Sequence, residues 1–464
     1  MKKCLKITGA YLLLFICIMG SPRHLMAQND ADLMNLPGEG NSLSTKKNTV
    51  NKKYSTADLL NLALLPAKVN VSPLPEYDVD KLDYALSEGI TRTPAGTLWT
   101  CWVAGGDNDK AFVVLASSRD NGQTWSKPRV VIDPRISGLP LGRRALVANV
   151  WTDPKGNLWL FYDQSIGYFD GRAGVWATVC SNPDSKELKW SKPKRISDGA
   201  ALNKPIVTAK GEWLLPVSLW PRTLINSEFK AHFHKLDDRR GANVLVSINQ
   251  GKTWKLRGNT VKSPYPTVDE NMLIERKDGS LWMTMRTLKG MCESFSTDRG
   301  YTWSKAEESK IFHGNSRHFI TRLKSGRLLL IKHGEQIKRP EGDSTVLSRT
   351  KLTAFLSEDD GITWSKGFLL VDRGVSYPDG IQAEDGTIYI CYDYDRWFSA
   401  EIWMARFTEK DILVGKMLDP HSNKAILISK ATGLTEEERT IRIEHRRKKA
   451  EKIKHSAQKN KTKD

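Results

Sequence analysis

Six short segments of this chain bring a polar or ionisable residue to the same register, seven to ten residues ahead of a glycine. The segments are "SEGITRTPAG", "ANVWTDPKG", "NKPIVTAKG", "DENMLIERKDG", "SRHFITRLKSG" and "YPDGIQAEDG". The residues at that register are Glu88, Asn149, Asn203 with Lys204, Glu270, Arg317 with His318, and Tyr377 with Asp379. Strand ends are often polar, and a solvated ring would need nothing more. The mixture argues for chemistry instead. Carboxylates supply proton acceptors and donors, Tyr and His can attack or shuttle a proton, and Lys and Arg neutralise an anion. Such a set works only if six distant segments converge.

The glycines show how they converge. Each opens a hydrophobic run: "AGTLWTCW" at Gly96, "KGNLWLFY" at Gly156, "KGEWLLPV" at Gly211, "DGSLWMTM" at Gly279, "SGRLLLIK" at Gly326 and "DGTIYICY" at Gly386. Intervals of 47 to 68 residues suit one four-stranded blade each. A second repeat falls between these runs. "SRDNGQTW", "SINQGKTW", "STDRGYTW" and "SEDDGITW" all fit S-x-[D/N]-x-G-x-T-W, and a broken copy ends near Trp190. Asp or Asn caps its own backbone in a turn, Gly supplies the positive φ, and Trp folds back as an apolar plug. Internal repeats of this kind predict an all-β six-bladed β-propeller over residues 78–434, closing near 401–407. In a propeller the innermost strands ring the axis, and ligands sit at its mouth.

The flanks read differently. Lys2 and Lys3, the apolar run "GAYLLLFICIMG" and the small residue Ala27 make residues 1–28 an expected signal peptide, too short for a membrane span. Export to the periplasm, the cell surface or the medium follows. Residues 29–77 read as a linker with a short helix at "TADLLNLALL", and 435–464 as a basic helical or disordered tail. Much of the net charge of +18 lies in that tail: residues 439–464 hold 11 Lys or Arg against three acids. In an exported chain a solvated tail is a better reading than a nucleic-acid arm. The cysteines beyond the signal, Cys101, Cys180, Cys292 and Cys391, are far apart and read as buried thiols. His232 and His234 in "HFH" have no third ligand in reach, so no metal is expected. No phosphate loop or nucleotide fingerprint points to a cofactor. A monomer acting on an acidic glycan is the partner reading.

With these residues in view, the sequence resembles the sialidase (neuraminidase) superfamily, in particular bacterial secreted proteins with Asp-box (BNR-type) repeats, over about residues 80–410. The tryptophan turns look like that family's Asp boxes. "DENMLIERKDGSLWMTMR" is similar to the family stretch holding the glutamate that activates the nucleophile and a carboxylate-binding arginine, which implies those roles for Glu270 and Arg286. "SYPDGIQAEDGTIYICY" resembles the segment of the nucleophilic tyrosine and implies Tyr377; "GNSRHFITRL" implies a carboxylate-binding role for Arg317. Asp107, or Asp109, in "AGGDNDKA" stands for the family's aspartic acid. The first blade departs: the family's Arg-Ile-Pro is absent, and Glu88 of "SEGI" stands near the arginine's place, where a carboxylate repels an acidic sugar.

The resemblance implies an exo-acting glycoside hydrolase, with Tyr377 as nucleophile and Glu270 as its base. Two other readings stay open. A uronate could be cleaved or dehydrated by elimination, with His318 and Tyr377 moving protons while Arg317 and Lys204 hold the carboxylate. A propeller that only binds glycans is the third. Arg143 and Arg144 read as residues of a solvated loop.

Overall fold

The structure, a computed structural model, describes residues 54–461 apart from 342–344 and 346. The expected signal peptide and the first part of the expected linker lie outside the described residues. Six antiparallel sheets follow one another along the chain. Their first strands are Leu86–Arg92, Ala148–Thr152, Ile206–Val207, Asp269–Glu275, Phe319–Arg322 and Ser376–Gln382. These strands lie against one another around the axis, so each blade starts at the centre and meanders outward.

The six repeated glycines end the turn between first and second strands. All of them have positive φ, between 77° and 97°. The second strands that follow, such as Leu98–Ala104 and Leu281–Thr287, are buried along their whole length. They are covered on both faces by neighbouring blades, which is why they read as continuous apolar runs.

Three of the tryptophan turns form copies of one hydrogen-bond pattern, and in the second turn of the four the side-chain bond is reversed, with Asn249 Nδ2 donating to Thr253 Oγ1 at 2.8 Å. In the third, Ser296 Oγ donates to Asp298 at 2.8 Å, Gly300 N donates to Ser296 Oγ at 2.8 Å, and Thr302 Oγ1 donates to Asp298 at 2.6 Å. The Thr302 hydroxyl holds the Asp298 carboxyl down to about 2, and Thr363 does the same for Asp359. Trp303 is buried, while Trp125, Trp254 and Trp364 are half-buried.

Three features differ from the sequence reading. The last blade does not end at residues 401–407: a fourth strand, Asn423–Lys430, completes it. Blade one gains a fifth, outermost strand from Val69–Asn70, which pairs with 131–132. Helix α1 (Thr56–Leu62), capped by Ser55, buries Leu59 and Leu60 in the propeller core, so this part of the expected linker is docked.

Among the described residues no strand is shared between blade six and blade one. The seam is closed by side chains: Asp393 accepts from Ser87 N at 3.2 Å and Asp379 from Ile90 N at 2.9 Å. Beyond the last strand, Thr432 N and Gly433 N donate to the carbonyls of Val79 and Leu82 at 2.8 and 2.7 Å. Helix α2 (Glu409–Val414) lies between the last two strands of blade six, and helix α3 (Glu436–Lys461) follows the ring. Among the described residues no helix is long and apolar enough to cross a membrane. Cys101, Cys180, Cys292 and Cys391 are buried free thiols.

Candidate functional site

Glu270 and Tyr377 sit on first strands at places where the ladder is broken. The register of Asp269–Glu275 slips between Asp269 and Met272, and that of Ser376–Gln382 slips between Ser376 and Asp379. Within these bulges Asp269, Glu270 and Tyr377 have φ of 58°, 43° and 55°. Left-handed backbone at residues other than glycine costs about 1–3 kcal/mol each and persists where the surroundings enforce it, often at functional sites. Here it turns two side chains out of the sheet toward each other.

They meet. Tyr377 Oη donates to Glu270 Oε1 at 2.5 Å. Arg286 Nη1 donates to the same carboxylate oxygen at 2.7 Å and to Tyr377 Oη at 3.1 Å. Burial and the Glu270 charge push the Tyr377 phenol above its ordinary value, while Arg286, Arg396 and Arg349 pull the other way. The phenol is therefore protonated at rest, with its proton directed at Glu270. Burial works against the charge of Arg286, and Glu270 and Tyr377 together more than offset it.

Two further guanidinium groups converge here, and neither was foreseen. Arg349, in the loop before the strand Leu352–Ser357, lies 5.9 Å from the Tyr377 ring centroid and is hydrogen-bonded to Asn315 O and Ser376 Oγ. Burial, with Arg286 and Arg396 nearby, lowers it to about 10. Arg396, after the second strand of blade six, lies 4.3 Å over the same ring and is held by Asp393 at 2.9 Å. Asn315 ties the group together: its Oδ1 accepts from Arg286 Nε at 2.7 Å and its carbonyl from Arg349. Both missed arginines lie in loops after second strands, outside any repeat. The signal that could have found them is position: such loops face the same end of the ring as the bulges.

Asp107, in the corresponding loop of blade one, is half-buried. Burial raises its carboxyl, and the charges acting against that rise are Arg396, Arg144, Arg286 and Arg349. Asp109 accepts from Gly142 N at 3.0 Å.

The other residues of the expected ring form a separate network along the axis. Arg317 is fully buried; its guanidinium donates to Asn203 Oδ1, Glu88 O, Leu202 O and Asp379 Oδ1 at 2.8–3.2 Å. Lys204 pairs with Asp379, and Asn149 Nδ2 donates to Leu202 O at 2.6 Å. Asn203 Nδ2 donates to the Glu270 and Asn271 carbonyls at 2.8 and 3.0 Å, fixing the bulge from below. Arg317 makes no hydrogen bond to Tyr377 or Glu270. Burial raises the Glu88 carboxyl well above its usual range, and its Oε2 accepts from Ala148 N at 3.2 Å. Glu88 is buried and bonded to the second blade, not open to a ligand as the repelling group expected from its place in the sequence would be.

His318 is also buried, with Nε2 2.7 Å from Thr284 Oγ1 and its ring edge-on to His313. Burial lowers it to about 4. Arg143 and Arg144, expected in a solvated loop, are buried; Arg144 forms an ion pair with Asp163 at 2.5 Å. Among the described residues no group of three or more His, Cys, Asp or Glu could hold a metal ion.

The model of the BNR repeat-like domain matches residues 96–390. The chain belongs to this family. It is 28% identical over 237 residues to a sialidase of Paraclostridium sordellii, covering 45% of this chain and 54% of that protein. It is 24% identical over 292 residues to a sialidase of Bacteroides fragilis (strain YCH46), covering 56% and 50%. The chain spans about half the length of the curated relatives it matches. Among solved structures, the Hadza microbial sialidase Hz136 aligns with a TM-score of 0.53 at 18% identity, over 72% of this chain and 69% of that one. The intramolecular trans-sialidase of Ruminococcus gnavus aligns with a TM-score of 0.53 at 14% identity, over 76% and 99%. These likenesses show a sialidase-type six-bladed propeller.

Proposed function

We propose that this BNR repeat-like propeller is an exo-acting glycoside hydrolase that removes a terminal acidic sugar whose carboxylate sits on the anomeric carbon. The observation that carries this reading is the Tyr377–Glu270 hydrogen bond set beneath Arg286, Arg349 and Arg396. Phenol is a weak nucleophile, with a pKa of about 10 before any shift. Attack on an anomeric carbon needs its proton removed as the bond forms. Glu270 is within reach and takes that proton, while Arg286 steadies both oxygens. The three guanidinium groups hold the sugar carboxylate with forked, charge-assisted hydrogen bonds. Arg396, from blade six, supplies a cation that the first blade lacks.

Asp107, whose carboxyl burial raises above its ordinary value, is the acid that gives its proton to the departing glycosidic oxygen. In the second half, water attacks the anomeric carbon while Asp107 takes a proton from it, and the sugar–tyrosine bond breaks as Glu270 returns its proton to the Tyr377 oxygen. The elimination reading fares worse. His318 is buried and bonded to Thr284, so it has no open path to a sugar C5.

The test is incubation with sialylated, uronate-bearing and sulfated oligosaccharides, read by mass spectrometry. Cleavage with gain of water is expected. An unsaturated product, or no cleavage of any acidic sugar, overturns the proposal. Tyr377→Phe and Glu270→Gln should each lower kcat by about 10²–10⁴-fold, and the double variant should be little worse than either, because the pair acts as one unit.

A further inference from the structure

The loop that carries Arg396 is gripped from outside the propeller. Arg442, in the second turn of α3, donates from Nη1 to Asp83 O at 2.9 Å and to Trp397 O at 2.7 Å. Its Nη2 pairs with the Asp83 carboxylate, and its guanidinium lies 5.6 Å from the Trp397 ring. One turn further, Arg446 lies 4.2 Å over the Phe398 ring and 4.0 Å from the Asp395 carboxylate. Trp397 packs edge-on against buried Tyr84, with ring centroids 4.6 Å apart. Residues on both sides of Arg396 are thus bound to one helix.

This loop needs holding. Asp395 and Ala400 have φ of 43° and 46°, a conformation that persists only where contacts enforce it. The helix is polar around its whole circumference and has no apolar stripe to bury. Its grip therefore rests on particular side chains. Arg442 is suited to it: a planar fork reaches two carbonyls and a carboxylate together, which a lysine ammonium does not reproduce.

We infer that α3 is a clasp on the active-site loop, and that Arg442 and Arg446 are positioning residues that hold Arg396 over Tyr377 and so set affinity for the acidic sugar. The inference deepens the hydrolase reading and rests on it for the role of Arg396; the clasp itself does not.

The experiment uses the full chain with Arg442→Ala, Arg442→Lys and, should the first fold poorly, Arg446→Ala. Hydrogen exchange of residues 395–400 is measured by mass spectrometry. Melting temperature, kcat and KM are measured on whichever acidic oligosaccharide the wild type cleaves. Arg442→Ala should speed exchange of that loop by about tenfold or more while the blade strands keep their protection. KM should rise by about tenfold with kcat nearly unchanged, because ground-state binding is what is loosened. Arg442→Lys should fall between. Unchanged exchange of 395–400 overturns the clasp. Faster exchange with an unchanged KM overturns the positioning role, and so does a loss of protection in every blade. If the wild type cleaves no acidic sugar, the hydrolase reading fails by itself and the exchange result still decides the clasp.

Discussion

Replacing His318 by Gln should flatten one part of the protein's response to acid. His318 is 1% exposed, and burial lowers its imidazole from 6.5 to about 4, with the Arg317 charge adding to the fall and Glu270 opposing it. Between those two values the unfolded chain binds a proton that the folded chain refuses. Stability therefore falls as pH drops from about 6.5 toward 4 and levels off below. From pH 7.5 to pH 5 the loss from this one group is about 2 kcal/mol, at 1.36 kcal/mol per pKa unit. The whole-protein profile will not show it cleanly. Asp269 is raised to about 7 by burial, and its contribution has the opposite sign: it stabilises as pH falls through 7, since the folded carboxyl is protonated and the unfolded one is not. The difference between wild type and His318→Gln removes that background, and the Gln amide can still meet Thr284. Urea unfolding followed by tryptophan fluorescence at pH 7.5, 6.5, 5.5 and 5 gives both curves. The stability advantage of the wild type should shrink by about 2 kcal/mol across the range. Parallel curves would show that His318 takes up its proton alike in the folded and unfolded chain, and would refute the burial argument.

Two further perturbations separate packing from binding. Trp303→Ala removes the one buried tryptophan of the four full turns and should cost about 3–5 kcal/mol in urea unfolding, while the half-buried Trp125→Ala should cost less. Arg349→Ala should raise KM for the acidic substrate by about 30-fold or more, corresponding to ~2 kcal/mol or above for a desolvated charge pair, with the melting temperature as the control for folding.

The blades were legible because each repeat states its own physics. A glycine with positive φ ahead of an apolar run, and an Asp closing on its own Thr, mark the same turns wherever they recur. Glu270, Arg286 and Tyr377 were legible through resemblance, and they meet in space. Depth was not legible. Arg317 and Glu88 share the register of Glu270 yet are buried on the axis; Glu88 also sits at a bulge, between Ser87 and Gly89, and what sets Glu270 and Tyr377 apart is their left-handed backbone, which leaves no mark in the spacing. Arg349 and Arg396 were missed because the loops holding them follow no period. The α3 contacts were missed because a run of charges reads as solvated unless its partners, the Asp83 carboxylate and two carbonyls, are seen.

The seam between blades six and one passes beside the candidate site. Tyr377 and Arg396 belong to the last blade and Asp107 to the first, with some 270 residues of chain between Asp107 and Tyr377. Among the described residues no strand crosses that boundary; side chains fasten it together with three backbone hydrogen bonds, from Ala85, Thr432 and Gly433. The groups of the candidate site therefore share one site only when the ring is closed. A ribosome that has delivered five blades has not yet delivered Tyr377. A ring sprung open at its fastening holds Tyr377 and Asp107 on opposite free ends. On the proposed reading, closing the ring and arming the site are one event.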